Sequence, residues 1–298
     1  MVNANVLRQR PGVTALKDRL AGIAVWTAAA LIFGLLAWIL ADVLIRGVSQ
    51  LSLEFVLGTP DNSGRSGGIV TIIVSTSLLL AVTLITAVPV SLATAIGLAE
   101  YTRDSTWSGT VVRRSLDVLA AVPSIVFGLF GNALFCIALG MGYSVLAGGL
   151  TLACMILPVL IRTSEQALRA VPNEYRLGAA GLGIRRVTTL LKIELPMAAS
   201  ALGAGLVLGI GRALAETAAL ILTSGYVTRM PESLLDSGRS LSVHIYELTM
   251  NVPGGNPRAY ATAAVLITLI LIINAVAMML SRLASGGSGQ NARGGIVL

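Results

Sequence analysis

Long apolar stretches alternate along this chain with shorter polar connections. Six of these stretches equal or approach the roughly 20 apolar residues that a helix needs to cross a bilayer. They cover about residues 23–45, 69–92, 112–139, 143–161, 197–222 and 260–280. The pattern predicts an all-α, polytopic membrane protein with six transmembrane helices.

Basic residues are distributed unevenly among the connections between the stretches. Of the 21 Lys and Arg residues, 15 lie on the side that carries both termini, 5 lie on the opposite side, and one, Arg212, lies inside the fifth stretch. Because basic residues accumulate on the cytoplasmic side of membrane proteins, both termini are predicted to be cytoplasmic. The formal net charge of +7 is therefore mostly a topology signal, and no nucleic-acid partner is expected.

The connections divide the chain into three predicted parts. These are a cytoplasmic N-terminal segment at 1–22, a six-helix membrane domain at 23–283, and a Gly- and Ser-rich cytoplasmic tail at 284–298 that is predicted to be disordered. Two longer external loops lie at about 46–68 and 223–259. The second loop contains several Pro and Gly residues and is predicted to hold one short helix near 241–250.

Composition supports a membrane protein and excludes several kinds of chemistry. Charged residues make up 12% of the chain, against about 25% in soluble domains, and the mean hydropathy is +0.84. The single histidine, His244, and the two cysteines, Cys136 and Cys154, form no cluster of zinc ligands in the sequence. Neither lysine completes a P-loop, so another polypeptide must bind any nucleotide that drives the protein. His244 is expected at the surface of an external loop.

The connection between the fourth and fifth stretches, at about 163–196, predicts more than a loop. Its mixture of apolar, charged and small residues indicates two short helices near the membrane face, and Gly181 and Gly183 interrupt them with a turn. A generic amphipathic cytoplasmic loop is the alternative. The spacing after Gly183 favours a specialised segment, because three further residues follow at fixed distances: Ile193, Leu195 and Pro196.

This spacing resembles the EAA loop of ABC importer permeases, E-A-A-x-x-x-G-x(9)-I-x-L-P. With Gly183 on the motif glycine, the three E-A-A positions hold Leu177, Gly178 and Ala179. The acidic residue is missing, although Glu174 lies one helical turn earlier and is a candidate to replace it. The resemblance implies a type I ABC importer permease fold. It also implies that this loop, including Glu174 and Arg176, forms coupling helices that insert into an ATP-binding subunit.

Two charged residues lie within the fifth stretch. Arg212 and Glu216 are four positions apart, so on a continuous helix they share one face and can pair. A charge at the centre of a membrane helix costs at least about 2.5–3.5 kcal/mol on insertion scales, which favours positions that face protein or water. One explanation is an internal ion pair that orients helix packing. The other is a guanidinium, held by Glu216, in the path of an oxyanion.

Three segments resemble the A-type permeases of phosphate-specific (Pst) importers. Residues 212–220, Arg-Ala-Leu-Ala-Glu-Thr-Ala-Ala-Leu, are similar to that family's R-x-x-G-E-T-A-P-L. Residues 117–130 are similar to its D-x-L-x-x-x-P-S-I-V-x-G-L-F, and Gly-Leu-Ala-Glu-Tyr at 97–101 matches a third segment. The resemblance covers about residues 20–283. With Arg212 and Glu216, it makes Thr217 a candidate residue of the substrate pathway.

Two prolines lie inside predicted spans. Pro123 frees a backbone carbonyl in the third span and marks either a kink or a broken helix, and Pro89 is expected to bend the second. Ser124 follows Pro123 and is a further pathway candidate, because its hydroxyl can donate a hydrogen bond to an oxyanion. A hydrogen bond from Ser124 to its own helix is the alternative.

The Pst resemblance implies a permease subunit of an ATP-driven inorganic phosphate importer in a bacterial inner membrane. It implies as partners a second, PstC-type permease, two PstB-type ATP-binding subunits and an extracytoplasmic PstS-type phosphate-binding protein. The chain itself is then expected to hold no cofactor, since ATP is bound by the partner ATPase. Sulfate or molybdate remain alternative oxyanions. An ion-coupled secondary transporter is disfavoured by the absence of an inverted repeat in the sequence, and a membrane enzyme by the shortage of His, Cys and paired carboxylates.

Overall fold

The computed structural model of the chain describes residues 11–102 and 106–289. Predictions for residues 1–10 and 290–298 lie outside the described residues. The described part is almost entirely helical. Its helices are α1 (Pro11–Val48), α2 (Leu53–Leu57), α3 (Val70–Glu100), α4 (Trp107–Ala120), α5 (Ser124–Gly131), α6 (Val145–Arg169), α7 (Asn173–Gly181), α8 (Arg186–Thr189), α9 (Leu195–Ala215), α10 (Ala218–Ile221), α11 (Leu241–Met250) and α12 (Asn256–Gly289).

Short elements of other types complete the described chain. π-helical turns extend α5 over Asn132–Ala138 and join α8 to α9 over Leu190–Glu194. The strands β1 (Pro60–Asp61) and β2 (Ser66–Gly67) form a two-stranded antiparallel hairpin in the first external loop. The all-α class predicted from the sequence is thereby confirmed, with this hairpin as a small exception.

Five helices in the described residues are long and apolar enough to cross a membrane, and a bent pair counts as a sixth, broken span when its two helices are taken together. The five are Asp18–Val48, Val70–Glu100, Val145–Arg169, Arg186–Ala215 and Asn256–Met279. The bent pair consists of α4 and the α5 helix with its π extension, which meet at 100°. A polytopic membrane protein is confirmed, but the third predicted span is two helices rather than one.

The core of the bundle lies where α3 packs along α6. Leu79, Leu152 and Ile156 are buried at this contact, each at most 2% exposed. The two helices approach closely because α6 carries glycine there: a Cβ added at Gly149 would lie 2.5 Å from Cγ1 of Val82. Small residues allow such close approach between membrane helices, where burial of apolar surface from water supplies no driving force.

Helix α1 lies at the edge of the bundle and packs on α12. A Cβ added at Gly47 would lie 2.5 Å from the carbonyl oxygen of Tyr260, and the guanidinium of Arg46 lies 5.4 Å from the Tyr260 ring centre. None of the most apolar window of this span is buried inside the structure. α1 therefore presents a continuous apolar surface outward from the bundle.

A folded cap closes the end of the bundle that the charge pattern places outside the cell membrane. Phe55, Ile69 and Leu241 bury their side chains together there, each at most 2% exposed. The short helix predicted near 241–250 is observed as α11, and Ser240 caps its first turn by accepting a hydrogen bond from the Val243 amide, 3.2 Å away.

Two predicted boundaries differ from the structure. α12 continues to Gly289, so the first residues of the predicted disordered tail at 284–298 belong to a helix. The fifth predicted span, at 197–222, ends as a regular helix at Ala215 and continues as the short helix α10 after a break. Extended backbone at Glu216, with φ −74° and ψ 129°, makes this break.

Candidate functional site

The break after α9 changes the expected relation between Arg212 and Glu216. The sequence predicts both on one face of a continuous helix, but Glu216 lies beyond the last helical residue, and no ion pair or hydrogen bond joins the two side chains in the part of the chain described. The extended backbone at Glu216 turns its side chain away from the helical repeat, which explains the difference. The predicted i, i+4 pairing is therefore wrong for this structure.

Arg212 is consequently a cation of a membrane span that has no partner among the described side chains. Its side chain is half-buried, and among residues 18–102 and 106–279 it forms neither an ion pair nor a hydrogen bond. It lies in the last turn of α9, next to the break. A guanidinium in this setting is costly unless it faces water or a ligand.

The third span breaks at Ala121–Pro123. Pro123 lacks the backbone N–H that would continue a helix, and it stands as the N-cap of α5 with φ −58° and ψ 140°. Ser124 is the first residue of α5, is half-buried, and makes no side-chain hydrogen bond within the described residues. Its predicted hydrogen bond to its own helix is absent there. By contrast, α3 continues through Pro89 without interruption.

The two broken spans lie against each other. α5 packs on α10, and a Cβ added at Gly128 would lie 2.8 Å from the Cα of Ala219. The side-chain amide of Asn132 donates to the carbonyl of Leu222, 2.7 Å away. Ser242 on α11 donates to the carbonyl of Glu216 at 2.5 Å, so the external cap also contacts this region.

Chemically, the region suits binding of an anion without covalent change. Arg212 offers several donors, and the half-buried hydroxyls of Ser124 and Thr217 lie at the two helix breaks. Discontinuous membrane helices are a recurrent way to expose polar groups within a bilayer. Among the described residues, no group of three or more His, Cys, Asp or Glu side chains could hold a metal ion.

The connection between the fourth and fifth spans forms two helices, α7 and α8, joined by a tight turn. Gly183 adopts φ +69°, which favours glycine. The Gly183 amide donates to the Ala180 carbonyl at 3.0 Å, and the Ile184 amide donates to the Ala179 carbonyl at 2.9 Å. This pair of hydrogen bonds is a Schellman motif, which satisfies the free carbonyls at the end of α7.

The residues at the E-A-A positions do not share one environment. Leu177 is 65% exposed, and open space surrounds Gly178, whereas Ala179 is 4% exposed. Glu174, the candidate for the missing acidic residue, is exposed and has no ion pair within the described chain. Among the described residues, Glu174 therefore stabilises nothing by pairing.

The other end of the motif joins the bundle. Ile193 is half-buried, and Leu195 packs against a buried cluster that includes Leu190 and Ala198. Pro196 is the second residue of α9 and lies just after the π-helical turn Leu190–Glu194. The motif thus runs from an exposed helix–turn–helix into a membrane span.

Arg176 on α7 has partners that the sequence analysis missed. Its Nη2 lies 2.8 Å from Oε1 of Glu100, at the end of α3, and 2.9 Å from Oε2 of Glu194, just before α9. Their separations of 76 and 18 residues from Arg176 give no periodic signal, so only the tertiary structure identifies them.

A second charged cluster, also missed, surrounds Glu165 on α6. This carboxylate is 2% exposed and accepts hydrogen bonds from Arg113 at 2.7 Å, Arg169 at 3.0 Å and Arg162 at 3.1 Å. Arg162 also pairs with the more exposed Asp117 at 3.1 Å. The spacing of the two arginines on α6 was visible in the sequence, whereas Arg113 comes from α4. The cluster fixes α4 against α6.

His244 corrects the expectation of a surface histidine. Its side chain is fully buried in the external cap, and its Nδ1 lies 3.2 Å from Nη1 of Arg239, which donates to it. Burial and the positive charge of Arg239 lower the pKa of His244 to about 3. Burial also lowers the pKa of Arg239, whose Nε donates to the Tyr226 carbonyl at 2.8 Å. The imidazole is therefore neutral.

Together, the six spans, the paired helix breaks and the exposed cytoplasmic helix–turn–helix define an all-α membrane permease. A family profile described as "Binding-protein-dependent transport system inner membrane component" matches residues 87–285. The chain belongs to this family and is a multi-pass bacterial inner-membrane protein.

Similar proteins match along most of the chain. It is 29% identical to the "Probable ABC transporter permease protein YqgI" of Bacillus subtilis, with 88% of this chain and 94% of that protein covered. It is 33% identical to the "Phosphate transport system permease protein PstA" of Mycobacterium leprae (92% and 91% covered) and 34% identical to that of Yersinia pestis (89% and 90% covered).

A solved structure supports the fold. A chain of the MetNI methionine ABC transporter in an inward-facing conformation superposes with a TM-score of 0.54, covering 73% of this chain and 94% of that one at 14% sequence identity. The type I ABC importer permease fold is thereby confirmed.

Proposed function

We propose that this chain is the transmembrane permease subunit of an ATP-driven importer of inorganic phosphate. The observation that carries the proposal is Arg212, a half-buried cation in a membrane span with no partner among the described residues. Such residues mark ion and substrate pathways. Phosphate as the anion is supported by relatives named phosphate transport system permease protein PstA, three of which match 82–92% of this chain.

The anion passes Arg212 by reversible hydrogen bonding. A guanidinium presents paired N–H donors that match two oxygens of a phosphate. The hydroxyls of Ser124 and Thr217, at the breaks of two adjacent spans, add donors of no net charge.

The helices α7 and α8 dock on an ATP-binding subunit. Several of their apolar side chains face solvent: Leu177 is 65%, Leu182 80% and Val187 57% exposed. An exposed apolar patch outside the bilayer favours a protein partner that covers it. ATP is then bound by the partner, and this chain contributes no nucleotide site, metal or cofactor of its own.

The complete importer contains further subunits. Two PstB-type ATP-binding subunits drive it, and a PstC-type permease completes the pathway beside this chain. An extracytoplasmic PstS-type binding protein delivers phosphate to the external cap. The apolar outer surface of α1, none of whose most apolar window is buried, offers area for a membrane partner.

Uptake of labelled phosphate, measured in cells that lack any other phosphate importer, tests the proposal. The wild-type chain with its partner subunits should restore ATP-dependent uptake, and excess sulfate or molybdate should not compete. Arg212→Ala should abolish uptake although the complex still assembles. Arg212→Lys keeps the positive charge but loses the planar guanidinium, so it should retain only a part of the wild-type phosphate uptake.

Each other result contradicts a defined part of the proposal. Normal uptake by Arg212→Ala would remove that residue from the pathway. Competition by sulfate or molybdate would indicate a different oxyanion as the substrate. Uptake that persists without ATP hydrolysis would indicate a secondary transporter.

A further inference from the structure

Arg176 connects the exposed helix α7 to the rest of the protein. Its Nη2 has two N–H groups, and three acceptors share them: Glu100 at 2.8 Å, Glu194 at 2.9 Å and the carbonyl oxygen of Leu168 at 3.0 Å. Its Nη1 donates to the carbonyl oxygen of Val171 at 3.1 Å. One guanidinium therefore contacts four acceptors, two of them carboxyl groups.

Three of the four acceptors belong to three different membrane spans. Glu100 is the last residue of α3, Leu168 lies in the last turn of α6, and Glu194 is the last residue of the π-helical turn that leads into α9. Below these acceptors the same three spans pack through one buried apolar cluster, which includes Ala95, Leu168 and Ala198. Arg176 thus lies where three spans converge.

Little else holds α7 to the bundle. Ala179 is the one buried residue of α7, and apart from α8, which follows it, no described element packs broadly against this helix. A force applied to α7 can therefore reach the bundle by two main routes. One is the covalent chain at each end of the helix, and the other is Arg176.

The ion pairs of Arg176 with Glu100 and Glu194 are partly buried, which strengthens them. Glu194 is 2% exposed, Glu100 18% and Arg176 23%. Charge-assisted hydrogen bonds of this length are about twice as strong as neutral ones, and water weakens them less when they are partly buried. A π-helical turn, such as the one that ends at Glu194, is often found at functional positions in helices.

We propose that Arg176, Glu100 and Glu194 form the transmission contact of the importer, through which movement of α7 shifts α3 and α9. They act as positioning residues, since none of them touches the transported anion. This inference rests on the proposed docking of α7 and α8 on an ATP-binding subunit. It goes beyond that docking because it assigns the transfer of motion to three named side chains.

A purely structural role for Arg176 makes a different prediction. If the residue only keeps α7 folded, its loss should release the ATP-binding subunit, and hydrolysis and uptake should fall together. If it transmits motion, the subunit should stay bound and hydrolyse ATP while phosphate import falls. The ratio of phosphate imported to ATP hydrolysed separates the two roles.

The intact complex in proteoliposomes, with its binding protein and inorganic phosphate, provides the measurement. Glu194→Gln preserves side-chain shape while removing the charge, and Arg176→Ala removes all four hydrogen bonds. Each should lower the ratio of phosphate imported to ATP hydrolysed by about tenfold, within the range typical of coupling between sites. Co-purification of the ATP-binding subunit should equal that of the wild type.

Two further variants complete the test. Arg176→Lys keeps the charge and helix propensity, and should recover part of the ratio lost in Arg176→Ala. Asp42→Asn removes the exposed Asp42–Arg46 ion pair on α1, 2.8 Å in length, and should leave the ratio unchanged.

The proposal is overturned if the ratio stays at the wild-type value in Glu194→Gln and Arg176→Ala. It is also overturned if these variants lose the ATP-binding subunit in proportion to their loss of uptake. Failure of the wild-type complex to import phosphate would instead contradict the proposed function, so the two failures are distinguishable.

Discussion

The side-chain amide of Asn132 donates to the carbonyl oxygen of Leu222, 2.7 Å away, and joins the segments that follow the two helix breaks. Asn132 begins the π-helical turn after α5, and Leu222 follows α10. Because each broken helix leaves backbone groups without helical partners, such contacts between the two breaks hold both of them in place.

Asn132→Ala is therefore expected to loosen the paired breaks. Loss of the hydrogen bond should lower the free energy of unfolding by about 1 kcal/mol, and up to about 3 kcal/mol if the Leu222 carbonyl stays buried and unsatisfied. Thermal denaturation of the purified protein measures this. Asn251→Ala, at an exposed position at the end of α11, is the matched control and should have little effect. Equal stability of the two variants would contradict the prediction.

Replacing two glycines by alanine, one in α7 and one in the turn before α8, should change the stability of the protein in opposite directions. Gly183 has φ +69°, so Gly183→Ala should cost about 1–2 kcal/mol of backbone strain although no atom lies within 4 Å of the added Cβ. Gly178 is helical with equally open surroundings, so Gly178→Ala should stabilise α7 by up to about 1 kcal/mol. Thermal stability of the two purified variants tests this. A stabilising Gly183→Ala would show that the turn does not require a left-handed residue.

The Glu165 cluster allows a comparison between a buried and an exposed carboxylate that contact the same arginine. Glu165→Gln leaves three guanidinium groups facing a neutral side chain and should cost about 3 kcal/mol or more. Asp117→Asn removes a carboxylate that is 58% exposed and should cost less than about 1 kcal/mol. Denaturation midpoints of both variants give the comparison. Similar losses would mean that burial does not govern this cluster.

His244 should make the external cap sensitive to acid. Its pKa is about 3 in the folded protein and about 6.5 when exposed, so the unfolded chain binds the additional proton between these values. Stability is therefore lost as the pH falls below about 6.5, by roughly 3 kcal/mol at about pH 4, and levels off near pH 3.

His244→Gln isolates this contribution, because its amide oxygen can accept from Arg239 without titrating. The nearby charged groups Arg239 and Glu247 remain in both proteins. Thermal stability is measured for both proteins from pH 7 to pH 4. As the pH falls, the wild type should lose more stability than His244→Gln. A difference that is constant over this range would refute a buried neutral histidine.

Patterns within a short stretch of sequence are enough to predict those features of the fold that depend only on neighbouring residues. Apolar length predicts the spans, and Gly181 and Gly183 within a mixture of apolar and charged residues predict the helix–turn–helix, because both depend on residues close in sequence. Pro123 likewise identified the position at which the third span breaks. The sequence left open whether that position is a kink or a full break, since the 100° angle between the two helices depends on how α5 packs against α10.

The largest errors concern side-chain partners. Arg212 and Glu216 were expected to pair because an uninterrupted helix was assumed, and His244 was expected at the surface because loops usually are exposed. Neither Glu100 nor Glu194 was recognised as a partner of Arg176. In every case the deciding contact depends on how separate elements fold together, which periodicity within one element does not encode.

By itself, the sequence determined that this chain spans a membrane several times and carries a specialised cytoplasmic segment. These properties follow from how much apolar surface each segment carries and from local backbone preferences. Only the tertiary structure decided that Arg212 has no partner in the described part of the chain and that Arg176 joins three spans. Whether a charge is paired depends on the distance to groups remote in the chain, and that distance is set by packing.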